Sequence, residues 1–243
     1  MRGLAKAKGR GPLFGVEVDG ERKNLFGNFA SAKALETAVV AQGGKAVIFQ
    51  HSDAEIKARD AAAAEEQFFD LGMQYYIAAR SSAVLTKLMP VCGNLYHHAV
   101  EMFLKAGLSR KYSLDEVYKF QHDLPKLWDA FKADFTSPAL LQFDSVIPTL
   151  QRWHKIRYPD KLLQKEAHME VVWVEIEDTS HIAPSSSLPR YEVNGPAMDN
   201  FVITILDVLQ KLLTRYKYLV DFNPELREIL TRYHTKAEQM WDA

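Results

Sequence analysis

The segment that decides the fold spans residues 93–108 and reads GNLYHHAVEMFLKAGL. Its apolar residues recur at helical spacing, so it predicts an amphipathic helix with a wide buried stripe. His97, His98 and Glu101 lie in or beside that stripe, where aliphatic residues would pack at less cost. A buried polar group without a partner costs roughly 1–3 kcal/mol, so these side chains require partners on neighbouring elements. The specific properties of the protein are therefore expected at or beside this helix.

The two histidines of this helix raise the question of a metal site. Adjacent residues on a helix point about 100° apart, and the HExxH arrangement, which brings two histidines onto one face, is absent from the sequence. His97 and Glu101 are four residues apart and close enough to interact. The spacing favours a structural or hydrogen-bonding role over metal ligation. We predict no metal and no cofactor.

Composition and charge narrow the classes of function. The chain has 243 residues, of which 47% are hydrophobic and 25% charged, as in an ordinary globular protein with a core. The net charge of -1 supplies no overall attraction for nucleic acid, so any RNA contact would need a local patch. The single cysteine, Cys92, excludes an internal disulfide and favours a cytoplasmic location. No apolar run approaches the ~20 residues of a membrane span, and we expect no membrane association.

Residues 1–52 predict a small unit that begins with a basic arm. Residues 16–22 alternate in polarity around Asp19-Gly20, a dipeptide suited to the two-residue turn of a hairpin. A helix is predicted over residues 29–41 and a short buried strand over residues 46–49. The resulting β-β-α-β unit of roughly 40 residues buries little surface alone and is expected to dock onto the rest of the chain.

Residues 53–243 predict a helical domain. Helices are expected at about residues 54–88, 93–108, 113–120, 123–135, 139–157, 198–219 and 224–240. Residues 166–194 are β-like and are interpreted as a β-hairpin inserted between two helices. The predicted fold class is therefore mainly α.

Individual residues predict where these helices begin, end or bend. Ser113 begins a capping box, and Asp123 caps the following helix. Gly72 is expected to weaken its helix slightly, and Gly107 to end the helix in which it lies. Pro148 is placed to kink the helix of residues 139–157.

Four motifs between about residues 65 and 160 resemble the HEPN superfamily of small helical bundles. They are YYIAAR at 75–80, LYHHAVEMFLKA at 95–106, HDL at 122–124 and IRYPD at 156–160. A helical hairpin followed by His-Asp-Leu and Arg-Tyr-Pro is similar to the usual order in that family. The resemblance covers less than half of the chain. It implies a HEPN-like antiparallel bundle, with the β-hairpin as an insertion and the β-β-α-β unit as an appendage.

One function implied by the resemblance is that of a metal-independent endoribonuclease of a toxin–antitoxin or defence system. Many HEPN proteins look like such enzymes and use an Arg-x(4–6)-His pair at a dimer interface. Arg157 is the nearest counterpart of the motif arginine, but no histidine follows it at the required spacing. Arg227 and His234 satisfy the spacing outside the region of resemblance. These three residues are the candidates for catalysis.

The other implied function is non-catalytic binding of RNA or nucleotide, or pairing with a partner protein. The missing histidine favours this group, so we expect a binding or interaction protein, and a homodimer, rather than an enzyme. The residues of the expected polar network are His97, His98, Glu101, His122, Arg157, Tyr158 and Asp160. In that network Arg157 pairs with Glu101 or Asp160. The alternative is that the network only fixes the register of the helices.

Overall fold

The structure is a computed structural model that describes residues 12–83, 89–155, 168–172 and 190–231. Its contacts divide the chain into two units, residues 1–60 and 61–243. Sequence analysis places the boundary at residue 52, immediately before the long helix Asp53–Ala83. The structural boundary lies inside that helix.

The first unit contains a three-stranded antiparallel sheet and a helix. The strands are β1 (Phe14–Val18), β2 (Glu21–Gly27) and β3 (Ala46–Gln50), and the helix is α1 (Phe29–Ala41). The strands pair in the order β2-β1-β3. Asp19 and Gly20 have φ angles of 50° and 85°, and two positive φ angles are what a type I′ hairpin turn requires. The predicted β-β-α-β order is present.

The second unit is helical, and the mainly α class is confirmed. The helices are α2 (Asp53–Ala83), α3 (Met89–Leu108), α4 (Leu114–Lys119), α5 (Leu124–Asp134), α6 (Val146–Lys155), α7 (Gly195–Val208), α8 (Lys211–Asp221) and α9 (Pro224–Thr231), with a 3-10 helix at Pro138–Phe143. α3 packs against α5, α6 and α7, so its apolar stripe lies at the centre of the core. None of the helices described here has the length and hydropathy needed to cross a membrane.

The predicted caps are present. Glu116 accepts a hydrogen bond from the backbone N–H of Ser113 at 2.8 Å, which completes the capping box of α4. Asp123 accepts one from the backbone N–H of Lys126 at 3.2 Å, at the beginning of α5. These caps set the position of the segment between α4 and α5, which contains His122.

Three predicted helices differ from the observed ones. The helix expected over residues 139–157 is divided into the 3-10 helix and α6, and Pro148 lies in the first turn of α6. In a first turn the missing N–H of proline breaks no helical hydrogen bond, so Pro148 causes no kink there. The helix expected over residues 198–219 is interrupted at Gln210, whose φ is 38°. α3 begins at Met89 rather than at residue 93, and Gly107, which was predicted to end it, precedes its last residue, Leu108.

The prediction of an inserted β-hairpin is wrong. β4 (His168–Val172) pairs with β5 (Arg190–Asn194) in parallel. A hairpin joins antiparallel strands through a short turn, whereas a parallel pair needs a connection of a dozen or more residues. Alternating polarity identifies a strand but is compatible with both orientations, because side chains alternate between the two faces in either case.

Candidate functional site around Glu101

α3 carries a buried carboxylate, Glu101, surrounded by nitrogen atoms. Nζ of Lys105 lies 2.7 Å from Oε1 of Glu101, and Nδ1 of His122 lies 3.0 Å from both carboxylate oxygens. Nδ1 of His98 is 3.4 Å and Nε2 of His97 is 3.7 Å from Oε2. We define the Glu101 cluster as His97, His98, Glu101, Lys105, His122 and His154.

The helical spacing of α3 brings two neighbouring histidines to one carboxylate. His97 lies four residues and His98 three residues before Glu101, and both spacings make neighbours on a helix surface. The two imidazole planes are nearly perpendicular, at 87°, with ring centroids 5.4 Å apart. The rings therefore diverge, as expected for adjacent residues, but Glu101 lies within reach of both.

His122 and His154 join the cluster from other elements. His122 lies just before α5, next to the capping residue Asp123, and His154 lies near the end of α6. The ring of His154 stacks on that of His97 with centroids 4.8 Å apart, and on that of His122 at 5.3 Å. The cluster thus connects α3, the beginning of α5 and α6.

The cluster extends from the core to the surface. The side chains of His97 and Glu101 are 0% exposed, and that of Lys105 is 5% exposed. Exposure rises to 22% at His98 and 50% at His122. A ligand or ion from solvent would therefore approach past His98 and His122.

His97 is held in a single tautomer. Its Nδ1 lies 3.2 Å from the carbonyl oxygen of Leu150. Since a carbonyl oxygen only accepts, we assign the ring proton to Nδ1. Burial lowers the pKa of His97 to about 3, so the ring is neutral at pH 7 and Nε2 carries a lone pair.

Glu101 is ionised in spite of its burial. Burial raises its pKa, but the hydrogen bond with His98 and the charge of Lys105 outweigh this effect and bring the pKa down to about 2. Lys105 also donates a hydrogen bond to the carbonyl oxygen of Gln121 at 2.7 Å. Glu101 and Lys105 therefore form a buried ion pair whose members have further hydrogen-bonding partners.

The residue types of the cluster permit two kinds of chemistry. Imidazole and carboxylate groups bind transition metals, and His97, His98 and Glu101 offer ligand atoms that all lie within 4.8 Å of one another. Imidazole groups are also the commonest general acids and bases in enzymes. The partly exposed His122, stacked on His154, is placed for that second role.

A second buried polar cluster surrounds Asp199 of α7. The hydroxyl of Tyr76 donates to Oδ1 of Asp199, and Nε of Arg80 lies 3.3 Å from the same oxygen. Arg80 also donates from Nη2 to the carbonyl oxygen of Leu230 at 3.2 Å. Burial raises the pKa of Asp199 to about 6, although Arg80 and Tyr76 oppose this. All three side chains are buried, so the cluster ties α2 to α7 and α9 rather than meeting a ligand.

A groove of about 470 Å³ lies between α6, β5 and the beginning of α7. We call it the α6 groove; it is lined by Ser145, Val146, Thr149, Leu150, Arg152, Val193, Asn194, Ala197 and Met198. Its volume falls within the range of small-molecule binding sites. Leu150 connects it to the Glu101 cluster, because its side chain lines the groove while its carbonyl oxygen binds His97.

The structure brings four of the predicted network residues together, namely His97, His98, Glu101 and His122. Among the other predicted site residues, Arg227 is exposed on α9. Four lie outside the described residues: Arg157, Tyr158, Asp160 and His234.

Sequence analysis missed two members of the Glu101 cluster. Lys105 follows Glu101 by four residues, the spacing of a helical ion pair, so a signal for it was present. Lys105 supplies the cation beside Glu101. The prediction from the sequence was that Arg157 pairs with Glu101 or Asp160. His154 has no comparable signal, because it reaches the cluster only through the packing of α6 on α3.

Comparisons with known proteins add no information about the fold or the site. No family model matches the chain, and neither a curated protein nor a solved structure matches it. The resemblance to HEPN proteins therefore remains an interpretation of the four sequence motifs.

Proposed function

We propose that the protein is a HEPN-like, non-catalytic binding module whose ligand is a nucleotide or one nucleotide of a single-stranded RNA. The observation that carries this proposal is the composition of the α6 groove. Val146 and Ala197 are partly exposed and offer apolar surface to a base, and the buried Leu150, Val193 and Met198 lie behind them. The exposed Arg152 offers a cation to a phosphate. Mostly apolar walls with a few polar groups are typical of small-ligand sites.

The Glu101 cluster supports the groove by holding α6 in place. The hydrogen bond from His97 fixes Leu150, and the ring of His154 packs on that of His97. Gln151 accepts a hydrogen bond from the backbone N–H of Leu124 at 3.0 Å, which ties α6 to α5. A groove wall fixed at several points costs less to order when a ligand binds.

The proposal is tested by calorimetric titration of the chain with AMP, ATP and a short single-stranded RNA. Arg152→Gln is expected to weaken the binding of whichever ligand is bound by roughly tenfold, the loss of one charge-assisted contact. Lys119→Gln removes the same charge from an exposed position on α4 and is expected to leave affinity unchanged. Failure of all three ligands to bind would contradict the proposal, as would equal effects of the two variants.

Our proposal includes a homodimer located in the cytoplasm. The resemblance to HEPN proteins supports the dimer, and the single cysteine supports the location. Light scattering on the purified chain measures the mass directly. A monomer at micromolar concentration would contradict this part of the proposal without affecting ligand binding at the groove.

A metal-independent endoribonuclease is the second candidate function. It is favoured by the stacked rings of His122 and His154, two imidazoles within 5.3 Å that could act as base and acid on an RNA 2′-hydroxyl and its leaving oxygen. Arg157, Arg227 and His234 provide the alternative family-type groups. Incubation with mixed RNA in EDTA decides the question. Cleavage that is lost in His122→Ala, Arg157→Ala or Arg227→Ala would establish the enzyme, and intact RNA would exclude it.

A further inference from the structure

His97 and Glu101 present two hydrogen-bond acceptors to each other inside the core. Because Nδ1 of His97 donates to the carbonyl oxygen of Leu150, Nε2 of the neutral ring bears a lone pair. Nε2 is buried, has no hydrogen-bond partner among the residues described, and lies 3.7 Å from Oε2 of Glu101. Two facing acceptors repel each other unless a proton or a cation lies between them. A proton would put a full charge on a fully buried ring, whereas a metal ion would use the lone pair that is already there.

His98 supplies a third ligand atom beside these two when its ring proton, which Nδ1 donates to Glu101 in the absence of metal, moves to Nε2. Its Nδ1 lies 3.4 Å from Oε2 of Glu101, and the ligand atoms of the three residues lie within 4.8 Å of one another. Ligands bound tetrahedrally at the usual zinc distances stand about 3.4 Å apart. The separations of 3.4 and 3.7 Å from Oε2 are close to this ligand spacing, whereas the two ring nitrogens lie within 4.8 Å of each other and would approach when an ion binds.

We propose that the inner end of the Glu101 cluster binds one divalent transition metal ion, with Nε2 of His97, Nδ1 of His98 and Oε2 of Glu101 as its ligands. Two imidazoles and a carboxylate suit Zn²⁺, Co²⁺ and Ni²⁺, whereas Mg²⁺ and Ca²⁺ prefer oxygen ligands. Three protein ligands leave a coordination position for water. Solvent reaches the cluster on the side of His122, whose side chain is 50% exposed, so water would enter that position from there.

Two of the three ligands, His97 and Glu101, have hydrogen-bonding partners typical of a metal site. Histidine ligands usually donate their second ring N–H to a carbonyl or carboxylate oxygen, and His97 donates its Nδ1–H to Leu150. His122, at 3.0 Å from both oxygens of Glu101, orients the carboxylate in the same way. Lys105 donates to Oε1 at 2.7 Å, so the ion would share Oε2 only with the hydrogen bond from His122. The positive charge of Lys105 opposes the ion, so we expect weaker binding than at a site without a lysine.

The site is tested by titration of the full chain after treatment with EDTA and removal of the chelator. Calorimetry is expected to give one Zn²⁺ per chain, and Co²⁺ is expected to produce the visible absorption of a four- or five-coordinate ion. Nucleotide binding at the α6 groove does not require the ion, so either result can fail while the other stands. A wild-type chain that binds neither ion would overturn the proposal.

Variants assign the ligands. His98→Gln and Glu101→Gln are each expected to weaken Zn²⁺ binding by roughly tenfold or more. The matched control is Glu225→Gln, which removes a carboxylate from an exposed position at the beginning of α9 and is expected to leave Zn²⁺ affinity unchanged. An equal loss in Glu225→Gln and Glu101→Gln would overturn the three-ligand assignment.

X-ray absorption of the zinc-loaded wild-type chain identifies the ligands without any substitution. The result therefore does not depend on whether a variant folds. Two imidazoles and one carboxylate in the coordination sphere would support the site. A sphere without imidazole would overturn it.

Discussion

Gly72 of α2 faces the ring of Phe103 of α3 so closely that a Cβ atom built on Gly72 would lie 2.7 Å from two ring carbons. Sequence analysis identified Gly72 only as a weak point in its helix. In the structure the missing side chain is what allows the two helices to approach at this point. Glycine at position 72 therefore lowers the helix propensity of α2 but allows α2 to pack closely against α3.

Gly72→Ala is expected to destabilise the protein by about 1–3 kcal/mol, because the new methyl group overlaps a buried ring. Helix propensity alone predicts the opposite sign, a gain of about 1 kcal/mol. Urea unfolding followed by circular dichroism measures the difference. Gln74→Ala, at an exposed position of the same helix, is the control and is expected to change stability by less than about 0.5 kcal/mol. A stabilised Gly72→Ala variant would show that the packing argument is wrong.

Asp199→Asn is expected to reduce stability by about 3–5 kcal/mol, because it leaves the buried guanidinium of Arg80 without its anion. The double variant Arg80→Met, Asp199→Leu removes both charges and is expected to recover most of that loss. Unfolding free energies of the single and double variants test the pair. A double variant that is no more stable than Asp199→Asn would mean that the pair contributes through shape rather than charge.

Acidification is expected to destabilise the protein below about pH 6.5, the pKa of an unfolded histidine. The pKa of the buried His97 is about 3 in the folded state, so between these values the unfolded chain binds the proton more tightly. Folding free energy is then lost as pH falls, by at most about 1.4 kcal/mol per pH unit. Glu101 adds a loss of the same sign below pH 4.5, the ordinary pKa of a glutamate, because its folded pKa is about 2.

The control for this pH dependence is His97→Asn, whose amide can donate to Leu150 but does not titrate. Urea midpoints between pH 7 and pH 4.5, measured in EDTA, are expected to fall less steeply in this variant. The groups facing His97 are Glu101 and His98 on α3 and His154 on α6, and all three are retained. Identical slopes in the wild type and in His97→Asn would show that groups other than His97 cause the acid sensitivity.

Ala197→Phe is expected to abolish nucleotide binding, because its side chain would project into the α6 groove from the first turn of α7. Ala197 is only partly buried, so the stability change is expected to remain below about 1 kcal/mol. Calorimetric titration and thermal melting measure the two properties separately. Undiminished binding with a normal melting temperature would exclude the groove as the nucleotide site.

Local chemistry explains which parts of the fold were predictable. The turn at Asp19-Gly20 and the caps at Ser113 and Asp123 depend on a few adjacent residues, and each was predicted correctly. The direction of β5 relative to β4 depends on contacts between residues that are distant in the sequence. The break at Gln210, whose φ is positive, has no local sequence signal. Periodicity encodes neither of these features.

The residues of the candidate site divide in the same way, into those that the local sequence indicates and those that depend on packing between distant elements. His97, His98 and Glu101 are visible in the sequence as polar residues around an apolar stripe, and His122 through its motif. His154 contacts His97 only because α6 packs on α3, and residues 146–155 taken alone indicate an ordinary amphipathic helix. The lone pair at Nε2 of His97 depends on the carbonyl group of Leu150, which no side-chain pattern identifies.

The hydrogen bond from Arg80 to Leu230 determines the earliest time at which the second unit can finish folding. The two residues are 150 positions apart in the chain. At a synthesis rate of about 5–20 residues per second, roughly 8–30 seconds pass between their additions to the growing chain. During that interval α2 and α3 can pair, but the carbonyl oxygen of Leu230 that accepts from Arg80 does not yet exist. The packing of α9 against Arg80 is therefore completed only after residue 230 has left the ribosome, and a translational pause before that point would prolong the exposure of the apolar surfaces around it to chaperones.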